Sequence, residues 1–246
     1  NMHYTIADPK AFGIAAYEPV LPIYHSGQPE DSKEHCTGLL HQLDRIDPDR
    51  LSPENAYTYR LLHRSLENDL ALAAFPYYSE PLSPSSGMQS QLPVLLAEYT
   101  FRTKRDVTDY LALLDQVDDY FASLLLYEQE KAAAGFFMPA CSSEKVRKQC
   151  DTIVTAKELA RGTHFLQTTF EDRLSELQTQ GLFTPEETVS LIKANDRLLV
   201  TVVQPAYAAL SEGLLSLETS TDAASDRNGS AHNGFPKGLA LLPDGK

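Results

Sequence analysis

The chain has 246 residues, enough for one large or two ordinary domains, and its 42% apolar and 22% charged content excludes wholesale disorder and favours a folded, soluble class. With 34 acidic against 21 basic side chains the net charge is −13, which repels phosphate backbones. No Lys/Arg run interleaved with aromatics offsets it, so no nucleic-acid partner is expected. The three cysteines, Cys36, Cys141 and Cys150, form no Cys-x-x-Cys pair or disulfide framework, and no stretch approaches the roughly 18–20 uncharged apolar residues of a membrane span.

Residues 1–30 carry Pro9, Pro19, Pro22 and Pro29 among scattered aromatics and no sustained period, which reads as an irregular arm. Ser32 is the expected cap of a first helix with Leu39, Leu40, Leu43 and Ile46 on its face, ended by Asp47 and Pro48. Ser52 and Pro53 open a second, faced by Ala56, Tyr59, Leu62, Leu66, Leu70 and Ala73. Residues 76–93 then read as a loop too long for a simple connector, followed by a short helical piece from Pro93 to Glu98.

Residues 101–135 read as one long amphipathic helix around which the rest is organised. Thr103 and Asp106 form a capping box, and Val107, Tyr110, Leu111, Leu114, Val117, Phe121, Leu124 and Leu125 recur at three- and four-residue steps. Gly135 follows a cationic last turn. At about 1.5 Å per residue the element is on the order of 45 Å long, so its neighbours must be long helices too. Asp115, Asp118, Asp119, Glu128 and Glu130 fall mostly off the apolar stripe and read as a solvated face.

Ser142 and Ser143 offer caps for a helix through Val146, Cys150, Ile153, Val154 and Leu159, with Cys150 a buried thiol and a break at Gly162. Phe165, Leu166, Phe170, Leu174 and Leu177 continue the pattern to Gly181. Thr184, Pro185 and Glu187 mark a clear helix start, and the helix they open should kink at Pro205. After Leu217 the composition turns to Thr, Ser, Asp, Asn and Gly, a connector, before the apolar run at 235–242 and a turn. An end so soon after such a run predicts that the natural polypeptide continues.

The expected architecture is therefore all-α: a bundle of long antiparallel helices at 31–218, an irregular N-terminal arm at 1–30, and at 219–246 a flexible linker that begins a C-terminal region. No His-Glu-x-x-His, Gly-x-Ser-x-Gly, Gly-x-Gly-x-x-Gly or phosphate-binding Gly-rich loop occurs, and the scattered histidines read as surface or satisfied core residues. No catalytic or metal-ligating residue is assigned. The loop around Gly87, Gln89, Gln91 and Leu92 is the one stretch that leans toward a substrate-cleft or domain-interface role, beside a purely structural role of satisfying backbone groups at helix ends.

Several stretches resemble a bacterial family known as domain of unknown function 885, whose members look like gluzincin-type zinc metallopeptidases. They are residues 3–9 (HYTIADP), residues 81–93 with Gly-x-Gln-x-Gln-Leu-Pro, residues 103–120 with Asp109-Tyr110-Leu111, and the closing Leu242-Pro243-Asp244-Gly245-Lys246. The resemblance implies a mostly helical protein with zinc held by a His-Glu-x-x-His helix and a later Glu, none of which maps onto a residue here. It thus implies the N-terminal helical part of an exported or envelope-associated peptidase, packed on a catalytic region beyond residue 246 that would hold the zinc and take a peptide substrate. The other reading is a self-sufficient helical module that binds a protein or ligand without catalysis; a homo-oligomer is open under either.

Overall fold

A computed structural model describes residues 18–24, 28–75 and 77–228. Among them are ten α-helices, one short 3-10 helix, one π-helical turn and no strand, the all-α architecture expected. The chain forms two compact units, Tyr24–Glu80 and a larger one made of Asn1–Ile23 with Pro81–Lys246.

The smaller unit is a hairpin of α1 (Gln28–Leu43) and α2 (Pro53–Leu72) joined through the 3-10 turn Pro48–Arg50. Ser52 caps α2 by accepting a hydrogen bond from the Asn55 amide at 3.3 Å, with Pro53 in the first turn, where its missing N–H costs nothing. α1 begins at Gln28, so Ser32 lies inside the helix rather than capping it.

The larger unit holds α3 (Met88–Ala97), α4 (Lys104–Leu114), α5 (Val117–Ala133), α6 (Ala140–Ile153), α7 (Ala156–Arg161), α8 (Phe165–Thr179), α9 (Pro185–Leu198), a π turn at Leu199–Val203 and α10 (Gln204–Asn228). α10 lies against α5 and α6, α8 against α9, and α3 against α6 and α8. Val107, Tyr110, Leu114, Val117, Phe121 and Leu124 are all buried, so the stripe read from sequence is the seam of the bundle. Tyr99, Phe101, Tyr110 and Phe170 meet with ring centroids 5.3–6.2 Å apart. The Arg173 guanidinium stacks 4.5 Å from the Phe101 centroid and donates to the carbonyls of Leu96 and Tyr99, satisfying the end of α3.

Helix ends follow local chemistry closely. Thr103 and Asp106 form the capping box of α4, and Thr184 and Glu187 that of α9. Gly135, Gly162 and Gly181 take positive φ of 87°, 67° and 77° just past α5, α7 and α8. In each case the next residue's N–H reaches back to a carbonyl five positions earlier: Phe136 to Lys131, Thr163 to Glu158, Leu182 to Leu177.

Several expectations are corrected. The long helix is two: Asp115 and Gln116 interrupt it, because the Gln116 amide N–H bonds Leu113 O instead of continuing the ladder. The Gln116 side chain takes over the freed acceptor, donating to Ala112 O at 2.7 Å and to Pro19 O at 2.8 Å while accepting from Leu21 N at 3.1 Å. The break is thus where the N-terminal arm is pinned. Glu128 is not on a solvated face: it is fully buried with the Lys131 ammonium 3.8 Å away, whereas Asp115, Asp118 and Asp119 are exposed and Glu130 half-buried. α6 starts at Ala140 without a side-chain cap, Ser143 instead donating to Glu218 Oε2 at 3.2 Å, and the helix breaks at Val154 before Thr155 caps α7.

Pro205 is accommodated by the π turn just before it, where the Gln204 N–H bonds Leu199 O, a five-residue step that widens the helix. The same run, Pro185–Thr219, contains a window long and apolar enough, by length and composition alone, to cross a membrane, and 44% of that window is buried inside the protein. α10 continues to Asn228, past the point where composition suggests a connector.

Candidate functional site

The loop that leads into α3 is closed on itself by backbone chemistry. Met88 N–H donates to Pro81 O at 2.9 Å and Gly87 N–H to Ser83 O at 3.1 Å, folding residues 81–87 into a compact turn beneath the helix start. Gly87 is required sterically: a Cβ there would lie 2.0 Å from Gln89 Oε1, 2.3 Å from Ser83 N and 2.5 Å from Ser83 O.

Gln89 is fully buried and reads two elements at once. Its Nε2 donates to Ser83 O at 2.6 Å and to Gln149 Oε1 on α6 at 2.8 Å, and Gln149 Nε2 returns a hydrogen bond to Pro84 O at 2.9 Å. The two amides lock the loop to α6. Leu92 is in the core, 4% exposed. Gln91 points outward, donating to Ser86 O at 3.2 Å beside exposed Ser85 and Ser86. Of the four residues singled out by sequence, the structure therefore buries Gly87, Gln89 and Leu92 as the frame and leaves Gln91 on the rim.

α3 begins at Met88, earlier than expected, and carries Pro93 in its interior. Pro93 has no N–H to give the Gln89 carbonyl one turn back. The hydroxyl of Tyr207, on α10, donates to that carbonyl at 2.7 Å and replaces the missing helical bond. Burial, and then the neighbouring Cys150 and Tyr120, push the Tyr207 phenol well above its usual range, so it is a neutral donor. Burial, with Asp151 alongside, likewise pushes the Cys150 thiol up to about 12. Gln149 and Tyr207 were not singled out by sequence; the only available signal was a proline inside a helical stretch, which demands a donor from elsewhere.

The chemistry on offer is hydrogen bonding by amides and hydroxyls around Gln91, Ser85 and Ser86. Among the described residues no three His, Cys, Asp or Glu side chains converge so as to hold a metal. Buried His164 is structural: its Nδ1 accepts from Leu166 N at 3.2 Å, capping α8, and its Nε2 lies 2.8 Å from Ile153 O, which assigns the proton to Nε2. His35 and His41 are exposed on α1, and His63 sits 3.4 Å from Asp44. His3, His25 and His232 lie outside the described residues, as do Tyr4, Pro9 and the apolar run at 235–242.

The profile of a family described as bacterial proteins of unknown function, DUF885, matches residues 10–241. No curated protein matches the chain. Among solved structures the fold is similar to that of a "putative lipoprotein" from Colwellia psychrerythraea, with a TM-score of 0.73 and 14% identity over 89% of this chain. The match covers 38% of that chain, so the present sequence spans well under half the length of its structural neighbour.

Proposed function

The chain belongs to that family, DUF885, and from this premise we propose that it is the N-terminal helical domain of an exported zinc metallopeptidase-like protein. In this reading it packs on a catalytic region further along the polypeptide and shapes one wall of its substrate cleft. The observation that carries the reading is one of extent: the fold accounts for only 38% of its structural neighbour, leaving most of such a chain to supply the chemistry. The neighbour's description as a lipoprotein supports an envelope location, and the resemblance of residues 81–93 and 103–120 to a gluzincin-like family supports the reaction class. Gln91, with Ser85 and Ser86, is the part of the loop that faces solvent and can meet a peptide backbone, while Gly87, Gln89 and Leu92 hold it in place.

The test compares residues 1–246 with the polypeptide extended past Lys246 for bound zinc and for hydrolysis of a peptide library. Zinc and turnover are expected in the longer protein alone. Stoichiometric zinc or turnover by residues 1–246 overturns the assignment. In the longer protein Gln91→Ala is expected to raise KM at an unchanged melting temperature.

A further inference from the structure

Asn195 lies on the inward stripe of α9. At 100° per residue Thr188, Asn195 and Leu199 fall within about 40° of one another, and they are 7%, 1% and 0% exposed. α9 packs against α8 and α4, whose inward faces carry Leu166, Phe170 and Leu174 on the one and Val107 and Leu114 on the other. The Asn195 backbone carbonyl is satisfied by the Leu199 N–H. Its side chain is not: Oδ1 and Nδ2 are both shut off from solvent, and neither reaches a hydrogen-bond partner among the described residues. Polar side chains close by in the chain or across on α8 are committed elsewhere. The Thr188 hydroxyl donates to Thr184 O at 2.9 Å, while Gln167 Nε2 donates to Asp196 Oδ1 at 2.8 Å and to Leu159 O at 3.3 Å.

We propose that Asn195 anchors an internal hydration site, a long-lived water molecule held by its carboxamide one turn before the π turn at Leu199–Val203. A buried amide with both ends unserved costs a large share of a domain's whole stability, so a folded chain that keeps one supplies it with a partner. The chemistry of the amide selects that partner. It offers one acceptor and one donor group side by side. A cation would use the oxygen alone and needs several more oxygen ligands, and no cluster of metal-binding side chains occurs among the described residues. An anion would use the nitrogen alone. Water accepts from Nδ2 and donates to Oδ1 at once, and it is small enough for a side chain only 1% exposed. Its second hydrogen is free for the helix. The Asn195 side chain leans toward the N-terminal turn of α9, where each carbonyl keeps a second lone pair beyond its helical bond.

The experiment has two arms on the 246-residue chain. In the first, nuclear Overhauser contacts are recorded from the Asn195 side-chain NH2 in the unaltered, isotope-labelled protein; a cross-peak to water with the sign of a slowly exchanging molecule is expected. In the second, oxygen-17 relaxation dispersion counts long-lived waters in the parent and in Asn195→Leu, which replaces the amide by an apolar group of the same branching. The variant is expected to hold at least one fewer, with a urea midpoint equal to or above the parent's, because amide and water leave together. An Asn195 NH2 that contacts protein protons alone overturns the proposal, as does an equal water count in parent and folded variant. A lowered midpoint also counts against it, since the amide would then be serving a protein group. The first arm decides by itself should the variant not fold.

Discussion

Tyr207→Phe removes one oxygen from the core and tests whether a tertiary hydrogen bond stands in for a helical one. The Tyr207 hydroxyl is 2.7 Å from Gln89 O, the carbonyl that Pro93 cannot serve, and both residues are buried. Removing the donor leaves a buried acceptor unsatisfied, which costs about 1–3 kcal/mol. For a unit of this size each 1 kcal/mol lowers the melting temperature by about 2–4 °C, so a drop of roughly 2–12 °C is expected. The decisive measurement is a double-mutant cycle in urea with Pro93→Ala, which restores the N–H at position 93. If that amide can serve Gln89 O, Tyr207→Phe should cost about 1 kcal/mol less in the Pro93→Ala background. The same cost in both backgrounds refutes the reasoning, since the hydroxyl would then act by something other than replacing the proline's missing donor.

Gly87→Ala should destabilise by about 1–3 kcal/mol, because the new methyl meets the Ser83 backbone at 2.3 and 2.5 Å, where no side-chain rotation relieves it; an unchanged urea midpoint would sink the steric account. Glu128→Gln should cost about 3–5 kcal/mol by taking the carboxylate charge from beside a buried ammonium 3.8 Å away, with part recovered on adding Lys131→Met. The absence of any recovery would show that the two side chains are not coupled. The Cys150 thiol is raised in the folded state to about 12 and the Tyr207 phenol is raised as well, so folding favours their protonated forms. Their contribution to stability is full below the unfolded thiol value of roughly 8.5 and is lost as pH climbs toward the folded values. The urea midpoint should fall between pH 8 and pH 11, less steeply in Cys150→Ala, and a flat profile would contradict the burial. Among the cysteines only Cys141 is exposed, so a thiol reagent should modify one site in the native protein and three in urea.

Several helix ends were legible from sequence because both partners sit within a few residues of each other. Thr103 with Asp106, Thr184 with Glu187, Ser52 with Asn55, and the glycines at 135, 162 and 181 each close a hydrogen bond locally, so residue type and spacing suffice. The core stripe from Val107 to Leu124 was legible for the same reason, being a periodicity along one stretch of chain. Of the candidate loop, sequence pointed to the right stretch for close packing, through a glycine beside amides, but not to its locking partner Gln149, 60 residues away.

What sequence alone determined, then, is the all-α class, the starts of α2, α4 and α9, the glycine stops after α5, α7 and α8, and the inward stripe from Val107 to Leu124. Tertiary structure alone decided that Gln116 breaks the long helix by capping Ala112 and holding Pro19 and Leu21, that Glu128 goes inside with Lys131, and that Pro93 sits within a helix. The physical reason is common to all three. A backbone group or charge can leave water only where a partner meets it, and here those partners come from other turns or distant segments, the Tyr207 hydroxyl reaching Gln89 across 118 residues of chain.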